Sequence, residues 1–135
     1  MIVTFIVNGP IVAKQRPRFN GSTNTVFTPS KTIGYEGWIR DCYLFRGPGK
    51  ALEGEIKATI EAYLEIPKST SKTKRIQMEK GIINPTKKPD SDNIAKSILD
   101  ALNGIAYKDD SQVVELTVKK MYADKPYIRV TLEGD

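Results

Sequence analysis

Apolar and polar positions along this 135-residue chain change their period several times, and each period predicts an element. Residues 2–7 are apolar almost throughout, which predicts a strand covered on both faces, and Asn8-Gly9-Pro10 turns the chain out of it. Ala13 to Asn24 is rich in turn formers and reads as an exposed loop. From Pro29 to Phe45 the spacing becomes helical, with Ile33, Trp38, Ile39 and Cys42 along one side. Ser30 is its candidate N-cap, and Gly47-Pro48-Gly49 ends it. Glu55 to Ile66 alternates cleanly, Ile56, Ala58, Ile60, Ala62, Leu64 and Ile66 against Lys57, Thr59, Glu61 and Glu65, and predicts a strand with one wet face. Ser69 to Lys80 predicts a short basic helix stopped by Gly81. Asp92 to Leu102 is the strongest helical pattern, with Ile94, Ile98, Leu99 and Leu102 as its stripe and Asn103-Gly104 as its C-cap. Val113 to Tyr122 and Tyr127 to Leu132 predict a closing hairpin around residues 123–126. The order β-α-β-α-α-β-β predicts a single α+β domain over residues 1–135. Its sheet would have about four strands, mixed or mostly antiparallel, packed by about three helices.

Composition narrows the function. At 39% hydrophobic and 27% charged residues the chain is globular in character rather than disordered. Its formal charge of +5 favours a polyanionic partner, because each Lys or Arg set on a phosphate releases condensed counterions. The single cysteine, Cys42, permits no intramolecular disulfide and suits a reducing cytoplasm. No apolar run approaches the roughly 20 residues of a membrane helix, so a soluble cytoplasmic protein without membrane contact is expected. Histidine is absent, which excludes Ser-His-Asp triads, His-based nucleases and most zinc hydrolases. It also leaves Cys42 without a base, so a buried structural thiol is its expected role. Hydrolytic chemistry here must come from carboxylates, lysines or a metal held by oxygen.

The stretch from Lys87 to Val114 concentrates such groups. Asp90 and Asp92 open the strongest helix, where the helix dipole favours ionised carboxylates. Asp92, Lys96 and Asp100 follow at i, i+4 and i+8 on one face, offset from the apolar stripe. Asp109 and Asp110 sit in the turn before a strand, and a connection of this length can return that turn to the same end of the sheet. Phosphodiester hydrolysis needs an activated water and relief of phosphate charge, and two or three carboxylates sharing hard divalent cations provide both. Each residue also has an ordinary reading. Asp90 serves as an N-cap, Asp92–Lys96 as a surface ion pair, Asp100 as a partner of Lys96 or a cap, and Asp109-Asp110 as a turn. Lys14, Arg16 and Arg18 read equally as a solvated loop and as a phosphate clamp, and Phe19 and Tyr107 as packing residues or base-stacking ones.

The block Lys88-Pro89-Asp90-x-Asp92-Asn93-x-x-Lys96-x-x-x-Asp100-Ala101-Leu102-Asn103-Gly104, followed by Asp109-Asp110-Ser111-Gln112-Val113, closely resembles the RusA family of Holliday junction resolvases. The upstream segments Lys14-Gln15-Arg16-Pro17-Arg18-Phe19, Thr28-Pro29 and Ile66-Pro67-Lys68-Ser69 extend the resemblance in the expected order over most of the chain. It departs at Tyr107, where tryptophan is frequent, and at Thr70, where an aromatic is frequent. The resemblance implies metal coordination by Asp90, Asp92 and Asp110, Asp109 as a further acidic position, and Lys96 as an essential basic group. It implies Mg2+ (with Mn2+ as substitute), a homodimer, paired symmetric nicks in four-way DNA junctions, and a role in DNA recombination and repair, in many relatives within prophages. Lys14, Arg16, Arg18, Lys72, Lys74, Arg75, Lys87 and Lys88 would then hold phosphates. The rival readings are a non-catalytic basic DNA-binding module and a nuclease acting on flaps or forks.

Overall fold

A computed structural model describes residues 1–12, 18–22, 25–27 and 30–135, with backbone alone for 18–20, 25–27 and 30–32. Among these, six strands and three α-helices follow one another: β1 (Ile2–Asn8), β2 (Arg18–Asn20), β3 (Thr25–Phe27), α1 (Ser30–Arg46), β4 (Ile56–Glu65), α2 (Lys72–Glu79), α3 (Ser91–Leu102), β5 (Val113–Ala123) and β6 (Tyr127–Glu133). A single 3-10 turn, Asp110–Gln112, precedes β5. The main sheet runs β1-β6-β4-β5 and is mixed, since β4 pairs parallel with β5 and antiparallel with β6. This is the expected α+β domain of four main strands and three helices.

Alternation along the strands builds one buried sheet face. Phe5, Val130 and Ile60 stand in register across β1, β6 and β4 and are almost wholly buried. Against this face lie α1, through Tyr35, Ile39 and Tyr43, and α3, through Ile94, Ile98 and Leu102. Phe5 and Tyr43 meet edge to face, with ring centroids 5.5 Å apart. The opposite sheet face is polar and aromatic; there Tyr63 stacks on Tyr127 and Glu61 accepts from Arg129.

Four expectations are corrected. The strand at the N-terminus is covered on one face only: Val3, Phe5 and Val7 are buried, while Ile2 and Ile6 are 66% and 42% exposed. Helices α1 and α3 pack on one face of the sheet, and among the described residues nothing buries the second face of this edge strand. The buried line of α1 is Tyr35, Ile39 and Tyr43; Ile33 and Trp38 are exposed, and the Trp38 indole N–H donates to the Asn8 carbonyl. The loop expected over 13–24 contains instead the first strand of a small antiparallel hairpin, β2–β3, turning at Gly21-Ser22. Finally, β5 and β6 do not form a hairpin. They flank β4 on either side, and residues 124–126 cross the end of β4 where it leaves the sheet.

Candidate active site

Helix α3 presents the first group of candidates. Asp90 occupies the N-cap position, its carbonyl accepting from the Ile94 N–H, but its carboxylate makes no capping hydrogen bond. The carboxylate is therefore not consumed by the ordinary role that the sequence allowed it. Asp92 lies exposed in the first turn and Lys96 exposed one turn on, without an ion pair between them. Asp100, half-buried, completes the row.

The turn before β5 supplies the second group, and Gln112 organises it. Its amide oxygen accepts from the Lys108 and Asp109 N–H groups at 2.9 and 3.1 Å. Its amide nitrogen donates to the carbonyls of Leu52 and Gly54 at 3.2 and 3.1 Å. One side chain thus ties the Asp109–Asp110 turn to the segment entering β4 and uses its full hydrogen-bonding capacity. Asp109 accepts from the Ser111 hydroxyl at 3.0 Å, which lowers its carboxyl below the ordinary value. Asp110 is shifted the other way, first by desolvation, then by the hydrogen bond and charge of Asp109 and the charge of Asp100, against the relief given by Lys96. Below the turn Tyr107 is fully buried, donating from its hydroxyl to the Leu99 carbonyl at 2.7 Å. Burial raises its phenol, and the charges of Asp110, Asp100 and Asp109 raise it further. Tyr107 is therefore a packing residue between α3 and the acidic turn, not a base-stacking one.

Lys96, Asp100, Asp109 and Asp110 thus come together, while Asp90 and Asp92 stand at the start of α3. At 1.5 Å rise per residue, Asp92 lies about 12 Å along the axis from Asp100. Among the described residues no three carboxylates gather closely enough to ligate one ion. The donors fit Mg2+ in kind, being short, anionic and oxygen-only, and the crowding felt by Asp110 is the repulsion a cation relieves. As the chain stands they form two groups, one along α3 and one in the turn before β5.

The basic residues divide likewise. Lys14 and Arg16 lie outside the described residues, and of Arg18 only the backbone, in β2, is described. Lys72 and Lys74 are exposed on α2, a helix with no buried residue. Arg75 is engaged internally, 3.5 Å from Asp124 and 4.0 Å from Glu79. Lys87 and Lys88 are exposed on the connector into α3, just before the cis peptide that joins Lys88 to Pro89. Sequence reasoning gave Asp100 only an ordinary role and Gln112 none. The signal for Gln112 was its spacing, an acidic residue followed three positions later by Gln, as in a capping box.

Oxygen donors and a lysine along one helix, with an acidic turn beside it, are the kinds of group that phosphodiester cleavage can use. Comparison with known proteins gives the family of the chain. The family model for endodeoxyribonuclease RusA matches residues 8–133. A protein of Bacillus subtilis (strain 168) named "Uncharacterized protein YqaN" is 37% identical over 134 residues, covering 96% of this chain and 94% of the relative. The chain belongs to the RusA endodeoxyribonuclease family. No helix among the described residues is long and apolar enough to cross a membrane.

Proposed function

We propose that the protein resolves four-way DNA junctions by paired, symmetric nicks, as a homodimer and with Mg2+, for which Mn2+ substitutes. Asp90, Asp92 and Asp110 hold the metal, with Asp109 beside them. When bound, the metal supplies an activated water and neutralises charge on the phosphate. The remaining work falls to the chain. Lys96, one turn from Asp92 and close to Asp110, meets negative charge developing on the phosphate. Gln112 keeps the acidic turn in place. Lys14, Arg16, Arg18, Lys72, Lys74, Lys87 and Lys88 hold the DNA backbone, and Arg75 fixes α2 beside them. Two protomers present one such set to each of two opposed strands, as paired nicks require.

What supports this most is the placement of the turn before β5, which Gln112 ties to the segment entering β4 and under which Tyr107 bonds to α3, so that Asp110 feels the charges of Asp100 and Lys96. Gathering Asp90, Asp92 and Asp110 on one ion would bring the start of α3 and the acidic turn nearer than they stand here. The test is nicking of a synthetic four-way junction by Asp92→Asn and Asp110→Asn variants with Mg2+. Each variant should lose nicking and bind the junction as well as or better than the parent, a negative charge near the phosphates having been removed. Undiminished cleavage by either overturns the assignment. Equal cleavage of flaps and forks overturns the junction selectivity, and binding without nicking at any Mg2+ or Mn2+ concentration leaves a DNA-binding module.

A further inference from the structure

One cleft shares only Lys87 and Lys88 with these roles, and its apolar walls are used by none of them. It has a volume of about 400 Å³ and opens where β4 leaves the sheet. Its apolar walls include Ile11, Ile66, Pro67, Pro89 and Pro126, and its polar lining includes Lys68, Lys87, Lys88 and Glu65. Three ammonium groups against one carboxylate make it a cationic opening over an apolar floor. Its volume lies in the roughly 300–1,000 Å³ range of sites that enclose small organic groups. The walls are held from several sides. Lys120 donates to the Lys87 carbonyl at 2.5 Å, Lys87 lies over the Tyr122 ring, and the Ile66 N–H donates to the Ala123 carbonyl at 3.0 Å. Proline rings add no rotamer freedom to be lost when a ligand seats. Pro89 directly precedes Asp90, so the cleft adjoins the start of α3.

We propose that this cleft receives one unstacked nucleotide of the DNA strand, next to the phosphate that is cut. A flat apolar base face lies against the proline and isoleucine walls, while its phosphates meet the lysines at the rim. Charge complementarity selects a polyanion, and the apolar floor selects the base over the backbone alone. A duplex base cannot reach such a floor without leaving its stack, and the cost of unstacking is least where pairing is already interrupted. The cleft would thereby favour DNA whose strands part at a branch point. This rests on the reading of the protein as a nuclease of branched DNA, and it adds the means by which a branch is sensed.

The test is a four-way junction carrying 2-aminopurine at one position at a time around the exchange point, bound by the full chain in EDTA. A rise in fluorescence at one or two adjacent positions, retained in Pro67→Ala and lost in Pro67→Asp, is expected. Junction affinity of Pro67→Asp should fall roughly 5- to 100-fold, the equivalent of one lost base contact. Pro126→Asp, on another wall, should behave alike and serves if Pro67→Asp does not fold. No rise at any position, or a rise undiminished in a folded aspartate variant, overturns the inference. Because fluorescence is read without metal, its failure leaves the nicking test untouched. Nicking lost in Asp92→Asn with fluorescence retained would uphold both.

Discussion

Gln112 shows how one side chain can decide the position of others. Its four hydrogen bonds leave neither amide oxygen nor nitrogen for other partners, and truncation strands the Leu52 carbonyl beside the core. Residues behind metal ligands typically contribute 10- to 100-fold to activity, and Gln112→Ala should lower nicking by about that factor. The loss should appear as a higher Mg2+ requirement, measured by titrating Mg2+ at fixed junction, with metal-free junction binding unchanged. Tyr107→Phe separates packing from charge: it keeps the ring and removes the bond to Leu99, so it should cost about 1 kcal/mol in urea unfolding. Lys96→Ala should cost about 10²- to 10³-fold in single-turnover nicking, as for other lost groups that stabilise developing charge. Asp90, Asp92 and Lys96 were legible from spacing as candidates, because a helix fixes which residues share a face. Which charges of α3 Asp110 would feel was not, because the course of the connection from Asn103 to Asp109 is set by packing rather than by a local period.

Among the elements, β1 gives the sharpest contrast between pattern and placement. Its residues are apolar on both faces, yet only Val3, Phe5 and Val7 are buried. Phe5→Ala should cost about 3–5 kcal/mol, whereas Ile6→Lys, on the open face, should stay within about 0.5 kcal/mol. Equilibrium urea unfolding of the two variants checks both, and a large loss in Ile6→Lys would mean that a partner covers that face. Strand β4 and helix α3 were read nearly to the residue, since strict alternation and a well-formed apolar stripe each allow one orientation. Helix α1 was read at its ends but not its buried face. Packed against both β1 and α3, it spreads apolar residues over too wide an arc for a single line to stand out.

For the whole molecule, a net charge of +5 and exposed lysines on the connector into α3 make DNA binding salt-dependent. If Lys87 and Lys88 each neutralise one phosphate, replacing both with alanine should reduce the slope of log affinity against log salt by about 2, at about 0.9 per phosphate. Filter binding over a salt series measures it, and an unchanged slope would remove both residues from the DNA path. Chelation with EDTA should abolish nicking and leave junction binding in place, since the lysines act without the metal.

By itself the sequence determined most of the elements and narrowed the chemistry to carboxylates, lysines or an oxygen-held metal, and its resemblance to a family chose among these. Absent histidine, carboxylates at helical spacing and alternating strands are local features, set by composition and by the periods of helix and strand. Only the tertiary structure decided that β4 separates β5 from β6, that β1 lies at an edge, and that Asp110 feels the charges of Asp100 and Lys96 on α3. Each of these depends on how distant segments share one buried sheet face. Many pairings of the same strands satisfy the same local pattern, and the packing of α1 and α3 over that face selects among them.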